Sequence, residues 1–440
     1  MAKVLVIGAG VSGVSASTFL RSQGHSVLIC DRNPLSTEIS AQCSASGVVI
    51  LPAGEILAFL DDVDSLVIGP TVTSKNTLVA CAQARGQRVL SEIDLALLDY
   101  HGSTIGVTGT NGKSTVTAMI AHGLNTLGVS AVACGNIGLP PTAVVAKTEI
   151  PDALVIELSS YQLEYTKKLS SDISIFTSFS TDHLARHGTM ENYFGAKWRL
   201  IKSTKSSGLC IMTSDVANFA GIYNATGLRS QLAIVGSTPD AKDSHFIVKM
   251  DRTIVDVAGR REFAVPWIAE WHNCLNACMA ALAIGRHSNV SMEKALASLK
   301  GFVFLPHRFQ TIGTFHGFPV VNDSKSTNVE STLVALRNAS EPVILMLGGQ
   351  GKGESFTPIL DLGSSIRKIV IFGASRDEIM RDLGGRIDAI AFNKLGEAIE
   401  YVKSDRAPRG PILFSPACAS FDEFRNFEHR GEVFSGAFKP

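Results

Sequence analysis

Two junctions of strand, glycine turn and helix, about a hundred residues apart, restrict this chain more than any other feature. Residues 4–13 read VLVIGAGVSG, and residues 103–115 read STIGVTGTNGKST. Each is an apolar, largely β-branched run that ends in glycines and passes directly into helix-forming sequence. Such a junction sets backbone amides and the positive end of a helix dipole at the end of a parallel strand, which makes an anion site. A chain with two of them is expected to build at least two parallel α/β layers.

The first junction carries Gly8-x-Gly10-x-x-Gly13, with the helix starting near Ser12. A second strand, Ser26–Cys30, runs into Asp31, 18 positions after Gly13. That is close to the roughly 20 expected for the acid that holds a ribose hydroxyl in a dinucleotide site. An NAD-dependent oxidoreductase would account for this loop, but the pattern by itself reports only a phosphate or nucleotide near a helix N-terminus.

The second junction is a shortened P-loop. A strict one has glycine six positions before the lysine, where this chain has Val107. The functional end remains as Gly109-Thr110-Asn111-Gly112-Lys113-Ser114-Thr115. Backbone amides and Lys113 would cradle nucleotide phosphates, and the hydroxyl of Ser114 or Thr115 would bind Mg²⁺. A glycine turn with a surface lysine is the alternative, and the order strand, loop, helix argues against it. Two nucleotide-type loops fit a kinase or an ATP-driven ligase better than a simple dehydrogenase.

Strand-like and helical runs alternate along the rest of the chain, predicting three α/β domains: a Rossmann-like one over 1–97, a P-loop ATPase-like one over 98–304, and a second Rossmann-like one over 305–440. The expected strands are Lys3–Ile7, Ser26–Cys30, Val48–Leu51, Ser65–Ile68 and Gln87–Leu90, then Ser103–Val107, Ala153–Glu157 and Ile173–Ser178, with a β excursion around 245–257. Helices are expected at about 271–286 and 291–300. The third domain's strands are Pro319–Asn322, Val343–Leu347, Lys368–Phe372, Ala389–Phe392 and Pro411–Phe414. In the middle domain, Glu157 ends one strand, Thr181-Asp182-His183 follows another, and Asn136 lies in Gly135-Asn-Ile-Gly138 at a third. Glu157 and His183 are therefore candidates for a place beside the metal and phosphates. His272-Asn273-x-x-Asn276 opens a helix, where the amides would either read adenine or cap the helix.

Lys+Arg and Asp+Glu both number 40, so no bulk attraction to nucleic acid or anionic lipid is expected. The eight cysteines include no CxxC pair, which points to reduced thiols rather than a zinc site and suits a cytoplasmic protein. The N-terminal apolar run lacks a basic leader and enters the glycine loop, so it does not read as a signal peptide. No window reaches the ~20 apolar residues of a membrane span.

TGTNGKST, GNIG, ELSSYQLE, TDHLARH, HNCLN, LPHRFQ, NDSKSTN, GGQGKG and SPACASFDEFRNFEHRG occur in the order and spacing of the Mur ligases. ELSSYQLE and SPACASFDEF resemble the D-glutamate-adding branch. The resemblance covers essentially the whole chain. It implies a cytoplasmic, monomeric enzyme of peptidoglycan precursor synthesis, with ATP and two Mg²⁺ ions as cofactors. Its substrates would be UDP-N-acetylmuramoyl-L-alanine and D-glutamate, joined through an acyl phosphate and a tetrahedral intermediate. Another Mur ligase or a folylpolyglutamate synthase-like amide ligase is the neighbouring alternative, and the segment SPACAS argues against it.

By the same resemblance, Lys113 contacts the β- and γ-phosphates, and Ser114 and Glu157 share one Mg²⁺. His183 ligates a second, and Lys197 is a carbamylated lysine that helps position metal. Asn273 and Asn276 lie on the adenine side, Arg308 lies near the γ-phosphate, and Asp323 and Lys325 close on the nucleotide. Thr327, Lys352, Ser420 and Phe427 surround the incoming glutamate. Asn136, Ser159 and Gln162 face the muramoyl-alanine end, while Val11, Ser12, Asp31 and Arg32 hold the UDP. The third domain is expected to move on ligand binding. Three positions depart from the family pattern: Thr71 in Gly69-Pro70-Thr71, Ala185 where an aspartate is frequent, and Gln350 where an aspartate often binds the ATP ribose.

Overall fold

A computed structural model describes residues 1–52, 56–73, 76–237, 243–404 and 408–438. The chain forms three α/β domains, each built on its own sheet. The first sheet comprises β1 (Lys3–Ile7), β2 (Ser26–Cys30), β3 (Val49–Ile50), β4 (Ser65–Ile68) and β5 (Arg88–Ser91), all parallel, in the order β3-β2-β1-β4-β5. Chain direction across the sheet reverses between β1 and β4, where ligands bind in doubly wound folds. Between polar ends such as Lys3, Ser26 and Ser65, the interiors of β1, β2 and β4 are apolar on both faces, as a sheet covered on both sides requires. Leu5, Ile7, Leu28, Leu66 and Ile68 belong to one core cluster, whereas Val4, Val6, Val27, Ile29 and Val67 belong to the other. That alternation is the two-residue period of a strand. Each such side chain contributes about 1.5–3 kcal/mol when fully buried.

The second sheet has nine strands: β6 (Ser103–Thr108), β7 (Ala131–Gly135), β8 (Ala153–Glu157), β9 (Ser171–Phe176), β10 (Thr204–Thr213), β11 (Gln231–Gly236), β12 (Phe246–Val248), β13 (Thr253–Asp256) and β14 (Arg261–Ala264). Their order is β14-β13-β12-β11-β10-β9-β6-β8-β7, with β13 antiparallel to both β12 and β14. The P-loop strand β6 lies between β8 and β9, with Val107 opposite Glu157 and Thr108 opposite Phe176. Glu157 therefore ends the strand on one side of the loop, and Thr177 and Ser178 follow the strand on the other.

The third sheet holds β15 (Gln310–Phe315), β16 (Phe318–Asn322), β17 (Val343–Gly348), β18 (Ile366–Phe372), β19 (Ala389–Ala391) and β20 (Ile412–Ala417), in the order β15-β16-β20-β17-β18-β19. Its two cores alternate in the same way, Leu345, Leu347, Ile369, Ile371 and Leu413 on one face against Ile344, Met346, Val370, Phe372 and Phe414 on the other.

By contact density the chain divides into two compact units. Met1–Phe179, Glu191–Ala269 and Asn273–Phe302 carry the first two sheets, and Ser180–Met190, Glu270–His272 and Val303–Pro440 carry the third. Four strands were not anticipated from sequence: β10, β11, β15 and β14, which lies beyond the excursion expected around 245–257. β10 begins with the polar run Thr204–Gly208, exposed at three positions, and its register with β9 shifts between Thr204 and Leu209. β11 is a short apolar run with no alternation to mark it. β15 is a half-exposed antiparallel edge with Gly313 at a register shift, so it lacks the buried alternation of a strand. No helix among the described residues is long and apolar enough to cross a membrane.

Candidate active site

In the first unit, the turn after β6 is held from the β9 side. Thr110 N–H donates to the Ser178 carbonyl at 2.8 Å, and Asn111 N–H donates to Ser178 Oγ at 2.8 Å. Gly112 is left-handed at φ 83°, and a Cβ there would stand 2.9 Å from Asn276 Oδ1. Asn276 donates in turn to Asn273 Oδ1 at 3.1 Å, and both side chains are buried. The loop and the start of helix Trp271–Ser288 thus meet around a glycine that nothing larger replaces. Ser114 and Thr115 are buried in the first turn of helix Lys113–Thr126.

Lys113 Nζ donates to the carbonyls of Gly109 at 2.9 Å and Thr110 at 2.7 Å. Lys197, buried on helix Met190–Lys202, donates to the same Gly109 carbonyl at 2.6 Å and lies 4.7 Å from the Tyr193 ring centroid. Two lysines from distant parts of the chain therefore converge on one loop oxygen, and the Lys113 ammonium at the head of the helix complements an oligophosphate. Asn136 donates to Glu157 Oε1 at 2.8 Å, which turns the β8 carboxylate toward the loop that follows β7. Among the described residues no group of three or more His, Cys, Asp or Glu side chains forms a metal cage. One strand-end carboxylate with loop hydroxyls fits Mg²⁺ all the same, since that ion commonly uses one or two protein carboxylates and completes its shell with water and phosphate oxygens.

At the first sheet, Asp31 is engaged by the protein itself. Its carboxylate accepts from Ala9 N–H at 2.7 Å and Asn33 N–H at 3.1 Å, bracing the glycine turn. Val11 and Arg32 are exposed, and Ser12 is half-buried at the head of helix Val11–Ser22. Ser12, Gly69, Pro70, Glu92, Tyr161 and Gln162 help line a cavity of about 10 Å³ between the first two domains. Ser159 and Gln162 form a capping box for helix Ser160–Tyr165.

In the second unit, Asp323 follows β16 and is buried. It accepts from Ser326 Oγ, from Ser415 Oγ at 2.8 Å and from Phe309 N–H at 3.0 Å. Burial pushes its pKa up to about 6, against the lowering effect of those donors and of Arg308. Lys325 Nζ lies 4.0 Å from the Phe427 ring centroid, and the Phe427 carbonyl accepts from Ser324 Oγ. Ser420 is buried, Thr327 is half-buried, and Lys352 Nζ pairs with Asp182 Oδ1 at 3.0 Å. Burial raises the Asp182 pKa, but Lys352 and His183 outweigh it and hold the acid below the usual carboxylate range. His183 is left-handed at φ 55°, beside Asp182. Of the departing positions, Thr71, Ala185 and Gln350 are all exposed.

Sequence reasoning passed over three residues here. Asp182 is adjacent to a singled-out histidine, and its burial was the missing signal. Arg430 is completely buried and donates to Ser324 Oγ, to the Ser324 carbonyl at 2.8 Å and to the carbonyls of Cys418 and Ala419, tying the loops after β16 and β20 together. Glu92 is buried between the first two domains, although nothing near it in sequence marks it.

Residues 107–284 match the family described as Mur ligase middle domain, and residues 2–91 match the Mur ligase MurD-like N-terminal domain. The UDP-N-acetylmuramoylalanine–D-glutamate ligase of Protochlamydia amoebophila is 32% identical over 99% of this chain and 98% of its own length. The enzyme of the same name from Lactiplantibacillus plantarum is 33% identical over 99% of this chain and 96% of its own. Among solved structures, the MurF ligase of Thermotoga maritima in complex with ADP superposes with a TM-score of 0.58 at 16% identity, over 87% of this chain and 91% of that one.

Proposed function

The chain belongs to the Mur ligase family, and on that premise we propose that it joins D-glutamate to UDP-N-acetylmuramoyl-L-alanine at the expense of ATP. Full-length similarity to ligases named for that reaction supports the substrates. The observation that carries the chemistry is the convergence of Lys113 and Lys197 on the Gly109 carbonyl, in a P-loop flanked by Glu157.

A carboxylate is a poor acyl donor, so it must first gain a leaving group. An acceptor carboxylate oxygen attacks the γ-phosphorus of ATP and ADP departs, leaving an acyl phosphate. The glutamate amine then attacks the acyl carbon, and the tetrahedral intermediate collapses to the amide and inorganic phosphate, with loss of the amine's proton. Catalysis here is mainly alignment and charge neutralisation. Lys113 and the loop from Gly109 to Ser114 hold the phosphates. Asn273 and Asn276 lie on the adenine side, and Arg308 and Asp323 serve the nucleotide from the third domain. Magnesium, when bound, offsets phosphate charge, with Ser114, Glu157, His183 and a carbamylated Lys197 as its protein-side supports. Lys325 closes on the nucleotide with Asp323, and Thr327, Lys352, Ser420 and Phe427 receive D-glutamate. Lys352, which pairs with Asp182 here, has the chemistry to hold a substrate carboxylate in its place. Val11, Ser12 and Arg32 bind the UDP, with Asp31 shaping the turn from behind. Asn136, Ser159 and Gln162 face the muramoyl-alanine end. The setting is cytoplasmic and the working unit a monomer.

The test is phosphate release from ATP by the purified chain. Release is expected only when UDP-N-acetylmuramoyl-L-alanine and D-glutamate are both present, with formation of the amide. Equal turnover with L-lysine or meso-diaminopimelate on a longer peptide acceptor would remove the D-glutamate assignment.

A further inference from the structure

Helix Pro141–Val145 begins without a cap of its own, because Pro140 stands at the N-cap and offers no side-chain acceptor. The amides of a helix's first turn need partners from elsewhere when they are buried. Glu92 supplies one from the end of the first domain. Its Oε1 accepts from Thr142 N–H at 2.7 Å and from the Thr142 hydroxyl at 2.6 Å, and both residues are buried. With its proton given to Glu92, the Thr142 hydroxyl is the acceptor of its 2.7 Å contact with Ser15 Oγ. Ser15 lies on helix Val11–Ser22, three positions after Ser12. Thr142 lies six positions after Asn136, whose side chain meets Glu157.

The short helix Glu92–Ala96 that presents Glu92 is anchored independently. Asp94, fully buried two positions on, accepts from the amides of Lys167 at 2.9 Å and Lys168 at 2.7 Å. Burying a carboxylate without donors is costly, so these amides hold Asp94, and with it the turn that presents Glu92, in one place.

We propose that Glu92 is a positioning residue for the acceptor substrate: by capping helix Pro141–Val145 through Thr142, and through Thr142 holding Ser15, it fixes the spacing between the diphosphate end and the acyl end of the acceptor cleft. This rests on the ligase reading given above. The cleft would act as a ruler, with Ser12 at one end and Asn136 at the other, and Glu92 would set its length without touching substrate.

A ruler predicts a specific pattern. Glu92→Ala and Thr142→Val are expected to raise the KM and Kd for UDP-N-acetylmuramoyl-L-alanine about tenfold, the scale of one charge-assisted hydrogen bond. The Kd for UDP alone, which needs only one end of the cleft, and the KM values for ATP and D-glutamate should stay within about twofold. Thr142→Ser keeps the hydroxyl and should restore acceptor binding. Should Glu92→Ala fail to fold, the Thr142→Val and Thr142→Ser pair carries the same comparison. Equal loss for UDP and for the full acceptor, no loss for either, or no recovery in Thr142→Ser would overturn the proposal. A parent enzyme that binds no UDP-N-acetylmuramoyl-L-alanine would instead overturn the ligase reading.

Discussion

Lys113 and Lys197 share a carbonyl, yet their expected roles differ. Lys113 opens the helix after the P-loop, so Lys113→Ala should lower kcat for ATP turnover by about a hundredfold or more while circular dichroism stays native. Lys197 is buried, and if it works as a carbamate then Lys197→Ala should recover part of its activity when small carboxylic acids are added. Absence of any such recovery would count against the carbamate. Glu92 makes a separate prediction about pH. Burial, partly offset by the Thr142 hydroxyl and amide, raises its pKa from the ordinary 4.5 to about 7. A raised pKa means the folded state holds a proton that the unfolded chain has released. Stability from this group is therefore complete below about pH 4.5 and is lost as pH rises through about 7. Glu92→Gln does not titrate, so its Tm should gain on that of the parent as pH is raised from 5 to 8.

At the level of elements, the junctions depend on how closely a helix can approach a strand. A Cβ on Gly13 would fall 1.8 Å from the Gly8 carbonyl oxygen, so helix Val11–Ser22 packs against the turn only because that position is bare. At Gly10, by contrast, a Cβ would have nothing within 4 Å, and the backbone adopts φ −72°. Gly13→Ala should accordingly lower stability by about 1–3 kcal/mol, read from denaturant midpoints. Gly10→Ala should leave the midpoint near the parent's and weaken binding of UDP, because only the approach of a phosphate is then obstructed. If both variants melt alike, close packing is not what Gly13 provides.

For the whole molecule, the first two sheets belong to one compact unit and the third to another. Within the first unit, Glu92 and Asp94 reach from the first domain to the backbone of the second. Calorimetry should therefore show the first two domains unfolding in one transition. UDP-N-acetylmuramoyl-L-alanine at about a hundred times its Kd should stabilise that transition by about 2.7 kcal/mol. Separate melting of the first two domains would show that the two acids do not couple them.

The two glycine junctions, their flanking strands and the three-domain α/β class were legible because their causes are local. An apolar run followed by glycine and a helix start is decided by neighbours in sequence and by the two-residue period of a buried strand. Edge strands such as β15 were not legible, since a half-exposed edge lacks that period. Partners were even less so. Asp31 looked like a ribose acid at the expected spacing, and folding engages it with the Ala9 and Asn33 amides. Lys197 was one lysine on a helix until the chain brought it to Gly109, and Asp182 carried no mark of its pairing with Lys352. The sequence by itself determined where phosphates can be received, because a strand, a turn and a helix N-terminus are contiguous. Which charges face one another, and which buried acid caps which helix, was decided only by tertiary structure, because a hydrogen bond or ion pair depends on a few ångströms between residues that the chain order leaves far apart.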